Sequence, residues 1–430
     1  MSSDSEGSIG FGEAVSIGVG GMVGGGIFAV LGLAVGLSGG GTPISFAVAG
    51  LVALVTAYSY AHLSVAFPSR GGTVTFLVQG FGNGLFAGGL NILLWLSYIV
   101  MLSLYAFAFG SYGATFFPAG MQVVGKHVLI TGSIAGITAL NALGAAIIGR
   151  AEDYIVGIKL AILLLFIGVG IWGISVQSIA PSTWPTPVGL IAGGMIIFVA
   201  YEGFELIANT AQDVRNAATT LPRAYYTAVV GVILLYVAIA AVTVGNLSLE
   251  AIAGAQDYAL AEAAKPFLGQ AGFILIVVAA LLSTASAINA TLYGSARFSY
   301  SIAKYGELPE LLEHNIWNKP LEGLFITAAV TIVIANLLDL SSISTMGSAG
   351  FLLIFAMVNW ANVRLSRQTK SRWYLSAVAC ATCLGALGAL IHEALLTAPH
   401  TLLVLGGMIG ISFAIELVYR TVRGPLAPEI

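Results

Sequence analysis

The chain has 430 residues, of which 58 % are hydrophobic and 8 % charged, whereas soluble globular domains carry about 25 % charged residues. So few charges exclude a soluble enzyme and a nucleic-acid binder, because neither a solvated surface of this size nor a basic track along a phosphate backbone can be built from them. The net charge of −3 names no partner, and two cysteines, Cys380 and Cys383, exclude a disulfide-rich secreted domain.

Whole stretches lack Asp, Glu, Lys and Arg, among them 14–69 and 71–125. A membrane-spanning helix needs about 20 apolar residues. Divided at glycines, prolines and polar clusters, the chain reads as an all-α integral membrane protein of about twelve spans. They are expected near 11–37, 43–67, 84–117, 126–147, 150–176, 187–213, 222–246, 269–303, 321–338, 340–366, 372–395 and 399–423. Residues 1–10 are polar and acidic, without the basic start of a cleavable signal, and are expected as a cytoplasmic N-terminus. With that orientation, 13 of the 16 Lys and Arg fall inside, Arg70, Arg150, Arg215, Arg297, Lys319 and Arg364 among them, and only Lys126 and Lys265 outside. This bias supports the even span count. Residues 249–268 carry Glu250, Asp257, Glu262 and Lys265 and read as short amphipathic helices over the outer face.

The first span contains Gly18, Gly20, Gly21, Gly24, Gly25, Gly26 and Gly32. Small residues serve close helix packing, but three consecutive glycines favour local unwinding. Unwound backbone at membrane depth must be buried in protein or line a cavity. The sixth span is interrupted at Tyr201-Glu202-Gly203-Phe204-Glu205. Corresponding interruptions five helices apart indicate an inverted repeat, with 11–176 as one half, 187–366 as the other, and 372–423 as two peripheral helices. A broken helix exposes amide N–H groups, here near Gly25, Gly26 and Ile27, which suit a carboxylate. It also exposes carbonyls, here near Met22, Val199 and Ala200, which suit an ammonium group. The two together describe an α-amino acid.

Lys159 interrupts the apolar run 155–174. An intramembrane lysine is costly and points to function, here proton coupling, unless it snorkels to the interface. Glu202 and Glu205 share a helical face if the helix is intact. Glu205 is the better proton carrier and Glu202 the better pocket wall, unless one of them caps a broken backbone N–H. Arg70 and Asp213 are expected either as an inner gate or as a plain interfacial ion pair. The run 120–126 matches part of a phosphate loop but is followed by His127 where Ser or Thr is required. Cys380 and Cys383 lie inside a span and are expected to pack. No metal site, cofactor or catalytic residue is expected.

Several motifs resemble the amino acid–polyamine–organocation superfamily. They are Gly24-Gly25-Gly26-Ile27-Phe28, Pro68 with Gly71-Gly72, Tyr201 to Glu205, Asn216 with Leu221-Pro222-Arg223-Ala224, and Arg297-Phe298-Ser299-Tyr300 with Ala303, Gly306, Leu308 and Pro309. Within that superfamily, Gly149-Arg150-Ala151-Glu152 leading to Lys159 is similar to the proton-coupled permeases of archaea. The resemblance implies a LeuT-like 5+5 inverted repeat plus two peripheral helices. It implies a lysine at position 159 in place of a sodium ion, beside the Gly20 carbonyl and Ser283. It further implies that Met22, Gly25, Gly26, Val199, Ala200 and Glu202 line the substrate site. Two positions depart from the pattern: Gly25 stands where relatives carry Ser or Thr, and Glu202 where they carry an apolar residue. An ionised Glu202 would favour cationic substrates, and a protonated one would form a neutral wall.

The expected function is therefore import of amino acids, proton-coupled and sodium-independent, by alternating access around the broken helices. The alternatives are a proton-independent exchanger of cationic amino acids or polyamines and, more remotely, a membrane sensor that does not transport. Expected partners are an amino acid, protons and the lipid bilayer, with no nucleic acid. The expected setting is the cell membrane with both termini cytoplasmic.

Overall fold

The computed structural model describes residues 7–143, 148–304 and 321–423, and helices occupy every expected span. Residues 1–6, Lys319 and the Gly306, Leu308 and Pro309 of the helix-eight motif lie outside the described residues. The first span is α1 (Phe11–Met22) and α2 (Gly26–Ser38), and the second is α3 (Thr42–Ala66). A short α4 (Thr73–Phe81) precedes α5 (Leu85–Ala114), α6 (Gln122–Leu143) and α7 (Ile148–Gly170). The sixth span is α8 (Pro187–Ile196) followed by two 3₁₀ segments, Phe198–Tyr201 and Phe204–Asp213. Beyond it run α9 (Ala217–Asn246), α10 (Leu249–Gly254), α11 (Ala259–Lys304), α12 (Leu321–Leu337) and α13 (Leu340–Arg364). A single turn, α14 (Ser366–Thr369), leads to α15 (Trp373–Thr397) and α16 (Pro399–Arg423).

Among the described residues nine helices are long and apolar enough to cross a membrane, and the pair Pro187–Ile196 and Phe198–Asp213, bent by 54°, makes a tenth. One of the nine, Gly26–Ala66, contains both α2 and α3, joined by a 3₁₀ turn at Gly39–Gly41. Divided there, and with the shorter apolar helix Gly323–Leu337 added, the spans reach the expected twelve.

Two elements differ from expectation. α4 lies between the expected spans 43–67 and 84–117, where no helix was expected. Glycines at positive φ, Gly72 at 46° and Gly82 at 81°, turn the chain at its two ends, and its Val74, Phe76 and Leu77 are buried. The eighth helix begins early, at Ala259, and turns sharply at Gly269 (φ 62°). The portion before that turn, with α10, forms the short outer helices expected over 249–268. Lys126 of α6 pairs with Asp257 there at 2.7 Å and sits over the Phe107 ring.

α5 is apolar all round and buried along nearly its whole length, which fits a helix surrounded by other helices. α13 is similarly enclosed. The outer helices present Val123, Leu143, Trp172, Leu396 and Leu403 outward, as a lipid-facing belt requires. Buried hydroxyls bond back to their own helices, as Ser97 does to the Leu93 carbonyl and Ser412 to that of Met408. In hydrocarbon every polar group must find an internal partner. At the Arg70 end, Ile9 pairs with Val214 in a parallel bridge and donates its amide to the Asp213 carbonyl.

Candidate functional site

The two breaks face each other. α1 ends at Met22, and α2 starts at Gly26 with Gly25 at its N-cap and no side-chain cap. In the sixth span the α-helix ends at Ile196, and the chain turns at Gly203 with φ 110°. A Cβ on Gly203 would lie 2.5 Å from the carbonyl carbon of Gly21, and one on Gly26 would lie 2.8 Å from the Cα of Ala200. Both halves of the first span therefore meet the sixth backbone against backbone. Only glycine permits this approach, and at Gly203 only glycine readily adopts the dihedral.

The carbonyls expected to stand free are engaged. The Tyr236 hydroxyl of α9 donates to the Met22 carbonyl at 2.7 Å and also lies 3.2 Å from that of Ala200. Ser283 of α11 donates to the Val23 carbonyl at 2.9 Å and contacts that of Gly24. Ser344 and Ser348 of α13 both donate to the Ile196 carbonyl at 2.7 Å, and the Ser348 oxygen accepts the Val199 amide. The Met22 and Ala200 carbonyls thus already meet a hydroxyl, and that of Val199 accepts the Glu202 amide at 3.2 Å. Unwound backbone buried in protein attracts hydroxyls because an unbonded carbonyl there costs about 1–3 kcal/mol.

Lys159 of α7 is 2 % exposed, and its Nζ donates to the Gly20 carbonyl at 3.2 Å. It does not snorkel to the interface. Ser283 bonds the carbonyls three and four residues further on, so α7 and α11 hold the same break at successive points. The ammonium stands at the C-terminus of α1, where about half a negative charge accumulates.

Glu202 and Glu205 flank the turn at Gly203, and both are buried. Glu205 accepts the Gly203 amide at 2.7 Å and the Tyr98 hydroxyl at 3.1 Å, so it caps the broken helix. Glu202 faces Glu205 and Tyr105. Ile27 is fully buried in the first turn of α2. The Tyr105 ring lies where a side chain at Gly25 would stand. Arg70 and Asp213 meet at 3.5 Å with side chains 73 % and 40 % exposed, a shallow contact worth little.

Tyr236, Tyr105 and Ser348 escaped the sequence reading, although two signals were present. Tyr236 is the single tyrosine in the apolar run 228–245, and its hydroxyl must find an acceptor when buried. Tyr98, Tyr105 and Tyr112 recur every seven residues on α5. This spacing directs them to one face, and they touch Glu205, Gly25 and the Phe28 carbonyl in turn.

An apolar outer belt around two facing helix breaks defines a polytopic membrane protein with a polar centre at mid-span. The amino acid permease family model matches residues 9–413, and the chain belongs to that family, whose members are transporters and not enzymes. It is 36 % identical to an uncharacterised protein of Methanocaldococcus jannaschii over 95 % of this chain and 94 % of that one. It is 36 % identical to the inner membrane transport protein YbaT of Escherichia coli over 83 % of each chain. With the methylthioribose transporter of Bacillus subtilis it shares 27 % identity over 82 % of this chain and 79 % of the other.

Proposed function

We propose that the chain imports amino acids together with protons, without sodium, by alternating access in the cell membrane. Residues 11–176 and 187–366 form the two inverted halves of a LeuT-like fold, 372–423 form the periphery, and both termini are cytoplasmic. The substrate carboxylate binds the uncapped N-terminus of α2 at Gly25, Gly26 and Ile27. Its ammonium group takes the carbonyls of Met22, Val199 and Ala200, sharing or displacing the Tyr236 hydroxyl. Glu202 stands beside the substrate side chain.

The observation that carries this reading is the Lys159–Gly20 hydrogen bond, a fixed cation held against the end of α1. When protonated, Lys159 makes a charge-assisted bond, and these are about twice as strong as neutral ones. Loss of the proton to the inside weakens its hold on α1 and frees the inner path. Glu205 relays or senses the proton from its place at the helix-six turn, and Arg70 with Asp213 closes the inner end. A ligand shifts such an equilibrium only by binding the two states differently. The likeness to proton-coupled permeases noted in the motifs supports the same assignment.

Glu202 favours a second reading, proton-independent exchange of cationic amino acids or polyamines. Counterflow in proteoliposomes preloaded with single amino acids, at equal pH on both sides, tests substrate class and separates the two. Exchange restricted to arginine, lysine or polyamines would support the second reading. Accumulation of neutral amino acids only under a proton gradient supports the first.

A further inference from the structure

We propose that the chain carries a binding site for an anionic phospholipid on its lipid-facing surface, between α4, α5, α13 and α15. A groove of about 420 Å³ lies there, lined by Phe81, Phe86, Met357, Trp360, Cys380 and Leu384. Helix spacing builds its walls: Met357 and Trp360 are three residues apart on α13, and Cys380 and Leu384 four apart on α15. Phe81 and Phe86 pack edge to face, with ring centroids 5.0 Å apart. Phe86, Trp360 and Leu384 are each 45 % exposed. The groove offers hydrocarbon surface and almost no hydrogen-bonding groups, so its occupant there is an acyl chain.

One end of the groove is cationic. Arg364 follows Trp360 by one turn on the same face, and its guanidinium stands 5.5 Å from the centroid of Phe81, which lines the groove. The turn beyond adds Arg367, Lys370 and Arg372, so residues 364–372 hold four basic and no acidic side chains. All four are exposed, and none pairs with a carboxylate among the described residues. Trp373 and Tyr374 are exposed in the first turn of α15, and Arg372 donates to the Tyr374 hydroxyl at 3.3 Å. Such rings settle at the level of lipid headgroups. An apolar groove, an aromatic rim and a cluster of cations follow one another in the order of a phospholipid's own parts. The guanidinium fork matches a phosphate, and the excess positive charge selects an anionic headgroup over a zwitterionic one.

Native mass spectrometry of the full chain in detergent tests this, with phosphatidylglycerol and phosphatidylcholine of matched acyl chains titrated separately. The wild type retains phosphatidylglycerol preferentially. Arg364→Gln, or Arg367→Gln with Arg372→Gln as a second exposed-site variant, weakens that retention by about fivefold per basic residue removed and leaves phosphatidylcholine unchanged. Ala381→Trp fills the groove from an exposed position and lowers retention of both lipids. Equal retention of the two lipids by the wild type would overturn the proposal. So would phosphatidylglycerol retention that neither Arg364→Gln nor Ala381→Trp alters, which would leave annular lipid only. Dimers that Ala381→Trp abolishes without any change in bound lipid would assign the face to a second copy instead, and would equally overturn it.

Discussion

Gly21 and Gly203 meet backbone against backbone, with no room for a Cβ on either. The contact joins the last turn of α1 to the turn that interrupts the sixth span, and it fixes how closely the two breaks approach. Gly203→Ala introduces a methyl group at 2.5 Å from Gly21 and forces alanine to φ 110°. The backbone strain alone costs about 1–3 kcal/mol. Thermal unfolding of the purified variant in detergent is expected at a clearly lower temperature than wild type, with uptake lost. Unchanged melting and uptake would show that the two breaks do not depend on this approach.

Tyr236 links the same two breaks through one hydroxyl. Tyr236→Phe keeps the ring and its packing but leaves the Met22 and Ala200 carbonyls without that donor, at a cost of about 1 kcal/mol or more. The loss falls on the arrangement in which the two breaks meet, so the variant shifts toward forms in which they stand apart. A cysteine introduced at Ala200 is expected to react faster with a water-soluble maleimide in this background than in wild type.

Glu205 has a structural duty besides any part in proton handling. Glu205→Gln keeps one oxygen for the Gly203 amide and turns its NH2 to Tyr98, whose hydroxyl can rotate to accept, whereas Glu205→Ala leaves a buried N–H unbonded, worth about 1–3 kcal/mol. The alanine variant should melt lower than the glutamine variant. If Glu205 also handles the proton, Glu205→Gln folds normally yet shows an altered pH profile of uptake. A glutamine variant as unstable as the alanine one would remove the capping role.

Gly25 and Tyr105 are complementary in volume. Gly25→Ser places a side chain into the Tyr105 ring, and overpacking of this kind costs about 1–3 kcal/mol. Tyr105→Ala should relieve most of that cost. A double-mutant cycle on stability is expected to give a favourable coupling near the size of the clash, and additive effects would contradict the contact.

Much of this was legible in the sequence because hydrocarbon is an exacting solvent. Charge-free runs located the helices, and Gly24-Gly25-Gly26 and Glu202-Gly203 located both breaks, since three consecutive glycines, or a carboxylate beside a glycine, go beyond what helix packing alone uses at mid-span. Lys159 stood out by its charge, and its Nζ lies buried against the Gly20 carbonyl. Less legible was what fills the space between the breaks. The Met22 and Ala200 carbonyls, read as open to a ligand, meet the Tyr236 hydroxyl, and neighbouring carbonyls of the two breaks are bonded by Ser283, Ser344 and Ser348, all of them on helices distant in sequence from the carbonyls they bond. Serine and tyrosine are ordinary in spans, so their partners depend on tertiary placement. α4 was hidden for a similar reason, being nine residues long and delimited only by the positive-φ glycines on either side.

Lys159 carries the proposed proton coupling. Uptake of radiolabelled amino acids into proteoliposomes, under an inward proton gradient, with and without sodium, should be measured for wild type and Lys159→Ala side by side. Wild-type uptake is expected to require the proton gradient and ignore sodium, and a folded Lys159→Ala protein is expected to lose proton-driven accumulation. Uptake or exchange that proceeds without a gradient and survives in Lys159→Ala would contradict this coupling, leaving Lys159 as a strut that holds α1 to α7.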